Sequence, residues 1–341
     1  TAFYQKTIGN HAFDALFGYS SQQTTQHGNS ATIRNLETPG YWVLDQKSGE
    51  DDAFIDVSGS EGIYTMISIL GRVNYSYDNR YLFQFNIRDD ASSRFGANYR
   101  YGYFPSASLG WRISQEYFMQ SQKWIDDLKF RLGYGILGDQ QAVGNYSHVS
   151  YIYTGEGAIF GSGEQKYYGG KIQKGFANSD IHWEGRKTFN IGLDFTLLNQ
   201  KLYGSVEYFD SHVTELLVQK ELPWVSGTDN YAYPWANYGN MRNRGVELSL
   251  GWRDRIGDFK YDISTNLSSI KNKVLDLGST DDIYYTGPDD VSASEVGQPI
   301  GSFRVLRTDG IFQTQDEVDQ YTKTVIDEVT GIEITKKIQP N

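Results

Sequence analysis

Cysteine is absent from all 341 residues, which removes disulfide frameworks, thiolate zinc sites and thiol catalysis together. The absence also suits a chain that has to stay unfolded while it crosses an oxidising compartment. Long apolar runs are missing too. Nothing approaches the roughly 18 consecutive apolar residues of a membrane-spanning helix, and mean hydropathy is −0.53. Neither fact bears on a β-barrel, where only alternate residues of each strand face lipid. Positive charge is scarce, with 31 Lys and Arg against 42 Asp and Glu and a net charge of −11. Without clustered cations a phosphate backbone has no counterpart, so nucleic acid is excluded as a partner. The five histidines (His11, His27, His148, His182 and His212) have no H-x-x-x-H spacing, so no metal site is read from them.

Aromatic residues are what the chain has in plenty: 7 Trp, 26 Tyr and 18 Phe, together 15%. Many fall in strictly alternating stretches, the mark of a strand with two unlike faces. In Arg80–Arg88 the bulky set is Tyr81, Phe83, Phe85 and Ile87, against Arg80, Gln84, Asn86 and Arg88. Pro105–Ser114, Leu128–Ile136, Phe189–Leu197, Val246–Trp252 and Phe259–Leu267 repeat the scheme. Thr1–Ile8, Phe13–Tyr19, Ile63–Tyr77, Leu202–Val213 and Ser302–Thr308 are less regular candidates. About ten or eleven strands are expected, with no more helix than a turn or two near Gln115–Asp127.

The connections carry the next inference. Short turns are read at Asp78–Asn79, Leu198–Lys201 and Asp254–Asp258, and long connections at Asp89–Gly102, Leu137–Lys187, Thr214–Arg244 and Lys271–Gly301. Gln115–Asp127 is intermediate but holds a short-turn place, so long and short links alternate. A transmembrane barrel has that asymmetry, with tight periplasmic turns and long extracellular loops. A soluble or surface-anchored β-sandwich for binding or adhesion also alternates, with a dry centre between two sheets. Phe, Tyr and Trp on the bulky faces favour lipid. Ser, Gly, Asn, Asp, Arg and Lys on the opposite faces favour a wet lumen.

The run GRVNYSYDNRYLFQFNIRDDASSRFGANYRYGYFPSASLGWRISQEYFM, Gly71–Met119, closely resembles the SusC/RagA family of TonB-dependent outer-membrane transporters of Bacteroidetes. Four further motifs follow in the family's order: Leu128–Tyr146, Asn178–Asp210, Gly239–Trp252 and Gly297–Val318. The resemblance covers nearly the whole chain and implies an all-β, antiparallel transmembrane barrel of about 22 strands. Residues 1–341 are then expected to supply about half of its wall. The sequence opens in strand-like TAFYQKTI and closes on KKIQPN, so a plug domain and the last strands are expected outside it. An open half-barrel would leave edges that lipid cannot satisfy.

What the resemblance implies is a barrel that performs no catalysis and needs no cofactor. It would act in the outer membrane as a nutrient importer for oligosaccharides or oligopeptides. A SusD-like surface lipoprotein would be its lid, TonB would engage through segments outside this chain, and transporter–lid pairs would form dimers. Arg88, Arg112, Lys129, Arg131, Asp194 and Glu247 are the candidates to face lumen or plug. Tyr151, Tyr153, Tyr167, Tyr168, Trp224, Tyr231, Tyr233, Trp235 and Tyr238, with Phe160 beside them, are candidates for substrate or lid contact. Flat rings stack on sugars and peptides alike, but they also pack loops together. A passive porin and a siderophore receptor are the alternatives within membrane proteins. Arg88, Asp89, Asp90 and Arg94 are expected to form one salt-bridge network. The acidic doublets Asp51–Asp52, Asp89–Asp90, Asp281–Asp282 and Asp289–Asp290 lack a full calcium-loop pattern and read as solvated carboxylates. Gly161–Gln165 lacks the context of a nucleotide loop.

Overall fold

The computed structural model describes residues 1–33, 40, 43–44, 55–154, 157–161, 165–174, 177–219, 234–278, 283–305, 310–326 and 333–337. Two compact units result: Thr1–Tyr284 with Ser294–Ile300, and Tyr285–Ala293 with Gly301–Asn341.

The first unit is built on one sheet of ten long strands: β1 (Ala2–Ile8), β2 (His11–Ile33), β3 (Ile55–Tyr77), β4 (Tyr81–Ser92), β5 (Tyr101–Arg112), β6 (Ile125–Asp139), β7 (Glu184–Leu197), β8 (Leu202–Thr214), β9 (Asn240–Ile256) and β10 (Phe259–Asp276). Each pairs antiparallel with the next, in chain order from β1 to β10. Among the described residues no second sheet packs face to face on it, which is not the arrangement of a sandwich. Among the described residues no helix is long and apolar enough to cross a membrane.

The links alternate between the two ends of the sheet as the sequence suggests, although the 12 residues of 113–124, at the end with the tight turns, outnumber the 8 of 93–100 at the other. One end of the sheet holds the turns at Gly9–Asn10, Asp78–Arg80, Leu198–Lys201 and Gly257–Asp258, together with residues 113–124. In that last link the expected helical turns are two 3₁₀ turns, Ile113–Gln115 and Tyr117–Met119. At the other end β2 is linked to β3, β4 to β5, β6 to β7 and β8 to β9. Asp78 and Asn79 both have φ of 51°, and Arg80 N–H donates to Tyr77 C=O at 2.9 Å. That left-handed pair matches the twist a tight hairpin needs.

Every buried apolar side chain among the described residues, Ala91, Phe95, Val143, Ile181, Val213, Leu217, Val274 and Leu277, lies toward the long-loop end. Below that end the bulky face of the sheet stays open: Phe83 is 39% exposed, Leu109 52% and Ile263 68%. A water-soluble protein does not leave an apolar field of this breadth uncovered.

The register shows how the strands lie. One hydrogen-bonded row runs Val73, Phe85, Ala107, Tyr134, Phe189, Asp210, Arg244, Lys271. It is apolar across five strands and charged across the last three, so the apolar band runs obliquely to the rows. At the band's foot, Tyr81 on β4 shares a row with Leu267 on β10, six strands away, yet β10 continues eight residues further to Phe259. Eight residues are about 26 Å along a strand and six strand spacings about 29 Å across. The strands therefore tilt by about 40°, which is what closure into a barrel requires.

Two strands depart from expectation. β2 and β3 are each 23 residues long, where Phe13–Tyr19 and Ile63–Tyr77 were the predicted spans. Both extend as a polar ribbon past the apolar band. Ser302–Thr308 is not a strand of the main sheet. Only Ser302–Phe303 pairs, with Ser292 and Ala293 in the second unit, and residues 306–309 lie outside the description. That unit also contains a short helix, Gln315–Gln320, capped by Thr314.

Candidate functional site

The face opposite the bulky side chains is polar, because alternation puts its residues at every second position. Arg88, Arg112, Lys129, Arg131, Asp194 and Glu247 all fall on this face by register. A trough of about 700 Å³ runs along it, lined by Gln84, Asn86, Ser108, Lys129, Arg131 and Glu207 among others. At its centre the Arg131 guanidinium donates to both Asp194 oxygens, at 2.8 and 2.9 Å. It also reaches Glu207 at 3.1 Å. Asn190 donates to the same Glu207 at 2.6 Å. Lys129 lies directly opposite Asp194, and Glu247 directly opposite Glu207. Paired ions of this kind are fixed in place by the backbone ladder, and Glu247, which has no ion pair among the described residues, is exposed. Glu207 and Asn190 were not among the sequence candidates. The signal was there: Glu207 sits between Val206 and Tyr208 in an alternating run.

The expected network at Arg88, Asp89, Asp90 and Arg94 divides instead. Arg88 pairs with Asp90 at 2.7 Å and donates to Ser68. Asp89 points to the other face, as adjacent strand residues must, and one of its oxygens has no partner. Arg94 lies over the Tyr64 ring at 4.7 Å and donates to Gln140 C=O at 2.9 Å.

At the long-loop end a small core forms. Phe95, Val143, Ile181 and Leu217, from three different connections, bury one another with Trp183 and Trp235 packed against them. Polar clasps fix the arrangement. Asn237 donates to His182 C=O at 2.8 Å and accepts from His182 N–H at 2.9 Å, while Asn178 donates to Trp235 C=O at 2.9 Å. Trp235 and the half-buried Tyr238 thus sit with the loop packing. Tyr151, Tyr167 and Tyr168 are exposed, the last two on the short hairpin Gly157–Phe160 with Lys166–Gly169. Phe160, on the same hairpin, meets Tyr168 edge-on at 5.9 Å. Trp224, Tyr231, Tyr233 and the Tyr153 side chain lie outside the described residues, as do Asp51–Asp52, Asp281–Asp282, the Asp289 side chain and the middle of Gly161–Gln165.

At the short-turn end Glu116 is 8% exposed and saturated. It accepts from Tyr81 Oη at 2.6 Å, Trp111 Nε1 at 3.0 Å and Arg80 Nη1 at 2.9 Å. The Tyr81 bond, then the Trp111 bond, then Arg80 hold its carboxyl below the ordinary 4.5. These bonds tie residues 113–124 to two rings of the bulky face. The five histidines sit at five separate places, and among the described residues no group of three His, Asp or Glu side chains is placed to hold a metal ion.

The comparisons with known proteins agree with this geometry. The family described as TonB dependent receptor-like, beta-barrel matches residues 2–305. The TonB-dependent receptor SusC of Bacteroides thetaiotaomicron is 32% identical over 316 residues, covering 89% of this chain and 30% of that protein. The TonB-dependent receptor P3 of Formosa agariphila is 29% identical over 317 residues, covering 91% and 31%. The RagAB peptide importer in its open-open state superposes with a TM-score of 0.76 at 24% identity, covering 99% of this chain and 36% of that one. This chain therefore spans about a third of the length of the proteins it matches.

Proposed function

Since the chain belongs to the SusC/RagA family of TonB-dependent receptor-like β-barrels, we propose that it forms part of the wall of an outer-membrane nutrient importer. All of residues 1–341 then belong to the barrel domain, with the second unit as part of a long connection. The observation that carries this reading is the uncovered apolar band, crossed obliquely by the strand rows and, among the described residues, lacking any core beneath it. Its bulky side chains meet hydrocarbon, and the opposite face borders a plugged aqueous lumen. There Arg88, Arg112, Lys129, Arg131, Asp194 and Glu247 meet the plug or passing cargo.

Transport of an oligosaccharide or oligopeptide under a SusD-like lipoprotein lid is part of the same proposal. The similarity to SusC and the shared fold with the RagAB peptide importer support it. TonB would act through segments outside this chain, and transporter–lid pairs would dimerise. The exposed Tyr151, Tyr167 and Tyr168 would touch lid or cargo. Trp235 and Tyr238 support the loops that carry them.

Spin labels on single introduced cysteines in the full-length protein, reconstituted in lipid vesicles, test the assignment of faces. Labels at Leu109 and Tyr134 should relax with oxygen, which partitions into hydrocarbon. Labels at Gln84 and Asn190 should relax with a water-soluble nickel chelate. Reversal of that pattern, or equal wetting of both faces, overturns the reading.

A further inference from the structure

The short-turn end contains a cavity that transport of cargo does not use. Trp252 points outward at the foot of β9, and Trp124 ends the link between β5 and β6; both are exposed. With Lys123, Leu198, Asn199 and Lys201 they line an open cavity of about 440 Å³. Lys201 is held by Asp254 at 2.9 Å, while Lys123 has no ion pair among the described residues. With Arg253 and Asp126, which hold the turn at its wall, three cations stand against two carboxylates and leave one net positive charge, the complement of a single phosphodiester.

The turn that forms one wall is strained. Leu198, Asn199 and Gln200 have φ of 59°, 57° and 64°, a left-handed run that residues with a Cβ adopt only against a steric penalty. Three bonds hold it. Leu198 N–H donates to Trp124 C=O at 2.9 Å, Gln200 N–H to the Asp126 carboxylate at 2.8 Å, and Arg253 Nε–H to Gln200 C=O at 2.7 Å. The Asp78–Asn79 turn, at the same end of the sheet, closes its hairpin with two left-handed residues, so hairpin closure alone does not require three. The extra distortion sets Leu198 and Lys201 beside the two indoles.

We propose that this cavity binds the headgroup of an anionic phospholipid in the periplasmic leaflet. The lysines meet phosphate oxygens, and Leu198, Trp124 and Trp252 lie along the glycerol and the first methylenes. This rests on the barrel reading, which puts short turns at that leaflet. The chemistry is that of a membrane interface, where indoles sit at headgroup level and lysines reach toward phosphate.

Native mass spectrometry of the full-length protein in detergent, offered equal phosphatidylglycerol and phosphatidylcholine, tests it. One phosphatidylglycerol should be retained in preference. Lys123→Gln, an exposed substitution, should cut that preference about fivefold, the worth of one lysine at a lipid surface. Lys260→Gln, at the next turn but outside the cavity, should leave it unchanged. Equal retention of both lipids, an undiminished preference in Lys123→Gln, or an equal loss in Lys260→Gln overturns the site. So does displacement of the lipid by inorganic phosphate at the same concentration, which would make the ligand a free anion. If the Leu109 spin label is lipid-exposed and Lys123→Gln has no effect, only this site fails; a wetted Leu109 fails the barrel reading itself.

Discussion

The sheet and the loops above it use the same apolar residue types to opposite ends. Phe95, Val143, Ile181 and Leu217 are buried together at the long-loop end, where water surrounds the protein and burial is worth about 25 cal/mol per Å². Phe83, Leu109 and Ile263 stay uncovered on the sheet, where burial against a second layer is replaced by contact with lipid. The difference teaches that, among the described residues, a dry core is assembled only beyond the apolar band. Within the band, cross-strand hydrogen bonding holds the strands together.

That contrast can be broken or sharpened by substitution. Phe95→Ala should have the largest effect, about 3–5 kcal/mol against the loop core. Hydrogen exchange should show residues 93–100 and 140–183 losing protection while β4–β8 keep theirs. Equal loss in the strands would mean that cap and sheet are one cooperative unit. Leu109→Arg comes next, costing about 2–4 kcal/mol near the middle of the bilayer. Ser108→Arg, one residue away on the polar face, should stay within about 0.5 kcal/mol. Reversible unfolding from lipid vesicles reads both, and similar costs would remove the distinction between the faces.

The smallest effect is expected at Glu116, and it depends on pH. Its carboxyl is held below 4.5 by Tyr81, Trp111 and Arg80, so the ionised form is the one the fold stabilises. Its contribution is present above pH 4.5 and lost as pH falls below that value. Residues 113–124 should exchange faster at pH 3.5 than at pH 6, after correction for intrinsic rates. Glu116→Gln should exchange fast at both, and an unaltered pH dependence in that variant would dismiss the carboxylate as the anchor.

The strands that cross the apolar band were legible because lipid on one side and water on the other enforce a period of two. Arg80–Arg88 and Phe189–Leu197 are read from that period alone. Ser20–Ile33 was not, since SSQQTTQHGNSATI has similar surroundings on both faces and so no alternation. The loop core was equally hidden. Phe95, Val143, Ile181 and Leu217 are single apolar residues in polar stretches, and only the fold brings them together. On the polar face, Arg131 and Asp194 were visible as odd members of alternating runs. The two hydrogen bonds that Arg131 donates to Asp194 depended on cross-strand register, which a sequence does not display.

The long hairpin of β2 and β3 has a further consequence. Twenty-three residues reach about 75 Å along a strand, and at the tilt found for this sheet they rise nearly 60 Å, about twice the thickness of bilayer hydrocarbon. The neighbouring strands are far shorter, 7 residues in β1 and 12 in each of β4 and β5, so the hairpin rises alone past the apolar band as a two-stranded blade with water on both faces.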